Sequence, residues 1–527
     1  MRHFCTAGPV RDDIHYRVPP LSRIDTATVF SLIDGLKYFL LHAPRQSGKT
    51  SVMMALANAL NETGRYKALY ANIEAAQPMR DDVEGANRVI ISSIAGRADR
   101  FLKDPYPEQF RRDLLSRSGH ENAVYQLLAA WSSHSPLPIV LFLDEVDALV
   151  GDSLISLLRQ LRSGYADRPT QFPQSIVLCG VRNLQDYRIH GSKEVITGGS
   201  AFNIKAESLR LGNFTEAEVR QLYEEHTRET GQTFEEAVYP LVWNLTRGQP
   251  WLVNALAWDA CFKLQTDRTQ PITADLIHEA KERLILSRQT HLDQLSDKLS
   301  EARVRKVIEP ILSGSAQLEA AAFDDDTQYC IDLGLIERRK GEGLVISNAI
   351  YREVIPRELT YQTQIALEVN DKPEQWYVNP DGRIDMIRLL DNFQQFFREN
   401  SESWLERFTY REAGPQLLIQ AFLQRIVNGG GRIDREYALG RRRTDLLVVW
   451  KHPNGTQRAV IECKIQRRSL EQTIAEGLPQ TADHMDRSGA DEGHLVIFNR
   501  EAGASWEEKI FSREAEHEGK RIRIWGM

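Results

Sequence analysis

The first two hundred residues alternate short, uniformly apolar runs with amphipathic stretches: LKYFLLHA at 36–43, KALYANIEA at 67–75, PIVLFLDEV at 138–146 and QSIVLCGV at 174–181. Apolar runs of strand length separated by helical periods predict parallel strands buried on both faces, hence an α/β sheet. From Thr215 the period becomes helical, in TEAEVRQLYEEHTRETG and then EEAVYPLVWNLTRG, with Thr215 and Glu218 spaced as a capping box and Gly231 as a stop. This predicts a helical lid. Between Ser287 and Leu359 helical patterns end in CIDLGLIERRKGEGLVISNAIYREVI, two β-rich strips around a Lys-Gly-Glu-Gly turn, which predicts a winged helix. The next fifty residues, rich in Trp, Phe and Gln with the turn NPDGR, predict a helical connector. After Arg411 the order is helix, strand, turn, strand, helix, strand, ending in HLVIFNR and KRIRIWGM: a second α/β domain.

The expected division is therefore a parallel-sheet core over 1–212, a lid over 213–286, a winged helix over 287–360, a connector over 361–410 and the second α/β domain over 411–527. A chain of 527 residues is too long for one hydrophobic core. Its 42% hydrophobic and 26% charged content is that of an ordinary globular protein. Cys5, Cys179, Cys261, Cys330 and Cys463 are scattered, with no CxxC pair to hold zinc or exchange disulfides, which fits a reducing compartment. The first twenty residues lack the apolar core of a signal peptide, and no run approaches a membrane span. The expectation is a cytoplasmic protein without a membrane partner.

Charge adds one feature. Between Arg425 and Arg468 eleven Lys/Arg face four Asp/Glu, a balance of +7, in a chain whose net charge is −7, so the remainder carries −14. One domain is basic and the rest acidic.

The octet Ala43-Pro44-Arg45-Gln46-Ser47-Gly48-Lys49-Thr50 fits the phosphate-loop pattern except that Ala43 stands where the first glycine is usual. It follows the strand YFLLH and opens a helix with Thr50 and Ser51, so loop N–H groups and the helix N-terminus would face phosphates. Lys49 would contact the β- and γ-phosphates of ATP, and Thr50 would ligate magnesium. Downstream, IVLFLDEVDAL ends an apolar strand in Asp144 and Glu145, at the sheet edge where open α/β folds bind ligands. Asp144 would hold magnesium through water, and Glu145 would take a proton from the attacking water. Asn183, or Arg182 beside it, would sense the γ-phosphate or simply end its strand. Arg159 and Arg162 would serve as fingers in a neighbouring copy of a homo-oligomer, or face solvent.

APRQSGKT, LDEVDAL, LCGVRNLQDYRIH and LTRGQPWLVNALA together resemble the AAA+-related STAND ATPases, in particular bacterial and archaeal ATPases that carry a nuclease-like domain behind a winged helix. The resemblance covers residues 10 to 360. It implies that Gly248-Gln249-Pro250 is the family's Gly-x-Pro element near the nucleotide, with Pro250 as a contact, and that His15 and Tyr16 approach the adenine base.

In the C-terminal domain Asp445 opens the strand DLLVVW, HPNGT turns, and RAVIECKI returns to Glu462-Cys463-Lys464. Alternation puts Glu462 and Lys464 on one face and Cys463 on the other. Two carboxylates and a lysine converge, a set that binds one or two magnesium ions, with Lys464 orienting or deprotonating water. The arrangement resembles the PD-(D/E)XK nuclease core over residues 411 to 500, which implies a site-adjacent role for Gln480 and a further acid at Glu412 or Glu436. Thr444 precedes the aspartate where such cores usually have proline. The basic surroundings, Arg442 and Arg443 among them, suit a phosphate backbone.

The functional expectation is an ATPase coupled to magnesium-dependent cleavage of nucleic acid, DNA favoured over RNA, in the setting of bacterial genome defence. The alternative is a nucleotide-controlled switch whose C-terminal domain binds DNA or a protein without cutting. Arg338, Arg339 and Lys340, in the expected wing, would contact DNA or form a solvated turn.

Overall fold

The computed structural model describes residues 2–116, 120–181, 188–190, 195–197, 205–287, 295, 297–312, 325–340, 343–359, 377–405, 419, 422–423, 432–436, 444–466, 469–499, 501 and 503–527. The chain divides into two compact units: Met1–Ser287 with Gln328–Leu335, and Arg288–Thr327 with Ile336–Met527.

The first unit is built on strands β1 (Tyr38–His42), β2 (Lys67–Asn72), β3 (Ile139–Asp144), β4 (Ser175–Gly180) and β7 (Lys205–Arg210), with β5 (Arg188–His190) and β6 (Val195–Thr197) forming a separate small hairpin. The five strands lie in the order β2-β3-β4-β1-β7 and every neighbouring pair is parallel. Alternation along each strand splits the apolar residues between two cores. Leu40, Leu69, Leu141, Leu143 and Leu178 pack with helices Val83–Leu102, Ala123–His134 and Gly151–Ser163. Phe39, Leu41, Tyr70, Phe142, Val177 and Cys179 pack with helices Thr26–Asp34 and Lys49–Glu62. Both faces being covered is why β1 to β4 read as largely apolar runs, whereas β7, KAESLR, does not. Each fully buried side chain such as Phe142, 0% exposed, contributes on the order of 1.5–3 kcal/mol.

The region expected to be a lid consists of helices Glu216–Thr230, Val238–Thr246, Pro250–Asp259 and Ala274–Leu286. Thr215 Oγ1 accepts from Glu218 N at 3.2 Å while Glu218 Oε2 accepts from Thr215 N at 2.8 Å, completing the capping box, and Gly231 ends the helix at φ 79°. The N-terminal residues form a strap across lid and phosphate-loop helix. Cys5 N donates to Asn254 Oδ1 at 3.0 Å, Trp251 Nε1 to Thr6 O at 2.9 Å, and Val10 N to Ser51 Oγ at 3.0 Å.

The second unit contains helix Ala302–Leu312, the antiparallel hairpin β8 (Ile336–Arg339) and β9 (Gly343–Ile346), and helix Ala349–Leu359. The division between units runs through helix Asp325–Asp332. Arg338 and Lys340 are exposed, whereas Arg339 pairs with Glu337 at 2.6 Å.

Its larger part is a six-stranded mixed sheet in the order β10-β11-β12-β13-β15-β14, from β10 (Arg432–Glu436), β11 (Thr444–His452), β12 (Gly455–Gln466), β13 (Glu492–Asn499), β14 (Phe511–His517) and β15 (Lys520–Gly526). β12, β13 and β15 run parallel, and the other neighbours antiparallel. Helix Leu470–Ser488 covers one face through Ala482 and Met485, against Leu447, Val460, Leu495 and Ile524. Helix Met386–Leu405 covers the other through Leu389, Leu390, Phe393 and Phe397, against Leu446, Val448, Ile461 and Phe498. The segment expected to be a connector is thus also a covering layer of this sheet. Its stripe at 389, 393 and 397 has the i, i+4 period of a packed helix, which a reading by composition overlooks.

Candidate functional site

In the first unit β4 separates β1 from β3, so the loop after β1 and the acids after β3 leave the same carboxyl edge of the sheet one strand apart. Left-handed backbone in the loop falls at Gln46 (φ 56°) and Gly48 (φ 88°), not at Ala43. A β-carbon is therefore unstrained at Ala43, which is buried and donates its N–H to Gly180 O at 3.3 Å. At Gly48 the left-handed φ favours glycine, and a β-carbon there would lie 2.7 Å from Arg23 Nη1, so the guanidinium would have to shift.

Lys49 opens the helix, is 6% exposed, and donates to Ala43 O at 2.9 Å and Pro44 O at 3.0 Å. Asp144 has no exposure. Its Oδ2 accepts from Thr50 Oγ1 at 2.8 Å and Tyr70 hydroxyl at 2.9 Å, and its Oδ1 from Glu145 N at 2.9 Å. A hydroxyl beside a hydrogen-bonded carboxylate is the oxygen set that magnesium takes, so Thr50 and Asp144 fit that ion. Burial first, then the charge of Asp144, holds the Tyr70 hydroxyl well above its ordinary value, so it stays a donor. Glu145 sits at φ 60°. Burial raises its carboxyl above the ordinary range, Asp147 and Asp144 add to the rise, and Lys49 and Arg45 oppose it. That tuning suits a general base. Asp147 is anchored by Val181 N at 3.1 Å.

Beside the loop opens a cleft of about 110 Å³, lined by Tyr16, Val18, Arg23, Gly48, Ser51, Phe214, Leu222, Pro250 and Trp251. Strap, loop and lid each supply a wall. Pro250 begins a lid helix that Gln249 caps by accepting from Leu252 N at 2.6 Å. Gly248 at φ 71° lies so close to Phe214 that a β-carbon would come within 1.9 Å of its carbonyl oxygen. Tyr16 lines the cleft. His15 instead serves the strap's own turn, its Nδ1 accepting from Arg11 N at 3.0 Å.

Sequence reasoning missed Arg23 and Tyr70. Arg23 donates through Nη1 to Ser47 O at 2.6 Å and through Nη2 to Gly212 O, and its guanidinium lies 4.8 Å from the Phe214 ring centroid. Burial draws it down to about 10, with Glu218 opposing. Neither residue belongs to a local motif, and only packing brings them to the loop. Arg159 and Arg162 are exposed on helix Gly151–Ser163, while Arg182 and Asn183 lie outside the described residues.

In the C-terminal sheet the register pairs Asp445 with Glu462 and Glu436 with Asp445, making one row of three acidic positions across β10, β11 and β12. Glu462 is 0% exposed. Lys464 Nζ stands 2.6 Å from its Oε1, and His484 Nδ1 3.4 Å from its Oε2. Cys463 packs into the opposite core, as alternation requires. His484 comes from helix Leu470–Ser488, which approaches β13 closely at Gly477, where a β-carbon would lie 2.7 Å from Leu495 Cδ1. One turn before His484 is Gln480, whose Oε1 is buried with no hydrogen-bond partner among the described residues. Among the described residues no group of three or more His, Cys, Asp and Glu is arranged to hold a metal. Glu412, Arg442 and Arg443 lie outside the described residues. No described helix is long and apolar enough to cross a membrane.

Residues 39–181 match the family model described as ATPase family associated with various cellular activities (AAA). No curated protein matches the chain. Among solved structures the chain is similar to the Thermotoga maritima RuvB Holliday junction branch migration motor, at 14% identity over 63% of this chain and 95% of that one, with a TM-score of 0.32. It is also similar to Cdc6p from Pyrobaculum aerophilum, at 14% identity over 64% of this chain and 93% of that one, with a TM-score of 0.35. The family match, the strand order and the loop geometry together make residues 39–181 a P-loop ATPase domain.

Proposed function

We propose that this chain, whose residues 39–181 form an AAA-family ATPase domain, hydrolyses ATP with magnesium and uses the nucleotide state to control cleavage of nucleic acid, DNA ahead of RNA, by its C-terminal sheet domain. The observation that carries the first half is Asp144, buried beside Thr50 at the phosphate loop with Glu145 next in the chain. Lys49 exchanges the carbonyl oxygens of Ala43 and Pro44 for β- and γ-phosphate oxygens. The loop N–H groups through Ser51 bind the remaining phosphate oxygens, and Pro250 closes over the base. Magnesium supplies neutralisation of phosphate charge. Glu145 accepts the proton of the attacking water, and Asn183 senses the γ-phosphate. Arg159 and Arg162 serve as fingers in a neighbouring copy of a homo-oligomer, a reading supported by their exposure on helix Gly151–Ser163.

The second half is supported by the row of Glu436, Asp445 and Glu462 with Lys464 on the same strand as Glu462. Converging carboxylates repel one another unless a cation sits between them, and a phosphodiester adds negative charge at the same place. Asp445 and Glu462 hold magnesium in this reading, Lys464 orients the water, and the sheet is that of a PD-(D/E)XK nuclease behind a winged helix. A second reading is favoured by one observation: Glu462 has no exposure and is already faced by Lys464 and His484, which also suits a structural ion pair. The domain then binds DNA or a protein without cutting, and the chain is a nucleotide-controlled switch.

Purified protein and its Asp445→Ala variant, incubated with plasmid DNA, linear DNA and RNA with and without ATP and magnesium, separate the two. Cleavage by wild type alone supports the nuclease. Equal cleavage by both, or none by either under any condition, leaves the switch.

A further inference from the structure

We infer that Tyr70 is a positioning residue for the magnesium step of ATP hydrolysis, fixing the carboxylate that in turn orients Thr50. The inference rests on the ATPase reading above. On β2 the register pairs Tyr70 with Phe142 and Asn72 with Asp144, so Tyr70 reaches its acid diagonally, from two residues back. Its ring is held in place: Arg97 lies 4.7 Å over it and Arg97 Nε donates to Tyr70 O at 2.6 Å. The hydroxyl meets Asp144 Oδ2 at 2.9 Å, the same oxygen that accepts from Thr50 Oγ1 at 2.8 Å.

The consequence follows from what each oxygen can do. Thr50 has one hydroxyl proton, and while that proton points at Asp144 its lone pairs are left for a cation. Asp144 must keep Oδ2 in place for this to hold, and its hydrogen bonds come from Thr50, from Tyr70, from the Cys179 thiol and, at Oδ1, from the Glu145 N–H. None of these donors is a cation. The orientation of the carboxylate is therefore set by the backbone and by neutral side chains, of which Tyr70 is held most firmly by its own surroundings. Partners that orient metal-binding groups typically change metal affinity or activity by about 10–100-fold when removed.

Tyr70→Phe keeps the ring under Arg97 and removes only the hydroxyl. Expected are an unchanged affinity for a fluorescent ADP analogue without magnesium, and a rise of roughly tenfold or more in the magnesium concentration giving half-maximal hydrolysis. Turnover should recover at saturating magnesium. Manganese binding to the ADP-loaded protein, followed by electron paramagnetic resonance, should weaken by a similar factor. Unchanged metal requirements in both assays, at an unchanged thermal midpoint, would overturn the role of Tyr70. If wild type hydrolyses no ATP, the ATPase reading fails instead, and the manganese titration still decides Tyr70.

Discussion

Asp144 and Glu462 are both carboxylates with no exposed surface on a sheet strand, yet they are compensated in opposite ways. Asp144 is held by the neutral donors Thr50, Tyr70, the Cys179 thiol and the Glu145 N–H, while the phosphate-loop Lys49 is engaged with carbonyl oxygens. Glu462 has the ammonium of Lys464 at 2.6 Å and the imidazole of His484 at 3.4 Å. Neutral donors orient a carboxylate without supplying a counter-charge, so an external cation at the first site meets no competing internal cation among these bonds. A lysine cancels the charge internally, so a metal at the second site has to compete with it. The same kind of buried carboxylate thus marks a poised site in one unit and a self-neutralised one in the other.

Four substitutions test that contrast. Lys49→Ala should abolish ATP binding, because the loop's N–H groups carry no full charge and Lys49 is the buried cation seated against the loop's own carbonyls. Retained affinity in a folded variant, measured by isothermal calorimetry, would remove the phosphate-loop assignment.

Next in size, Glu145→Gln should keep ATP and slow turnover by roughly 10²–10⁴-fold, through loss of the base. The pH profile sharpens this. The base works ionised, and its carboxyl is raised by burial, so wild-type activity should fall on acidification at a higher pH than an ordinary glutamate would give. A wild-type profile whose acid limb persists in the residual activity of Glu145→Gln would mean that another group is the base.

Lys464→Ala leaves a buried carboxylate without its cation and should destabilise the C-terminal sheet by about 3–5 kcal/mol. Chemical denaturation read by tryptophan fluorescence checks it, since Trp450 and Trp525 are buried in that core. A loss under about 1 kcal/mol would place the pair among weak surface pairs and undo the contrast drawn with Asp144.

The smallest effect is expected at the lid. Gly248→Ala places a β-carbon where Phe214 O lies 1.9 Å away and at φ 71°, so a cost of about 1–3 kcal/mol and weaker nucleotide binding should follow. Unchanged melting and affinity would show that the lid entrance relaxes freely.

The nucleotide half was legible because its chemistry is local. Gly48, Lys49 and Thr50 are consecutive, Asp144 and Glu145 end one apolar run, and the capping box at Thr215 and Glu218 spans a single turn. Residues this close in sequence are held at fixed spacing by the geometry of a loop, a strand end or a helix. Four of the five parallel strands were readable for the same reason, from their apolar runs; β7, KAESLR, carries no such run and was not.

What only tertiary structure decided involves partners far apart in the chain. Strand order put β4 between β1 and β3 and so brought Thr50 to Asp144. Arg23 reached Ser47 and Gly212, and Tyr70 reached Asp144, through packing that no spacing encodes. The helix at Met386–Leu405 became a layer of the C-terminal sheet, and His484 joined Glu462 because Gly477 lets its helix lie close to β13. A sequence states which side chains are available and, over a turn or a strand, which face they take. Which distant faces meet is set by the best burial of all the apolar surface at once.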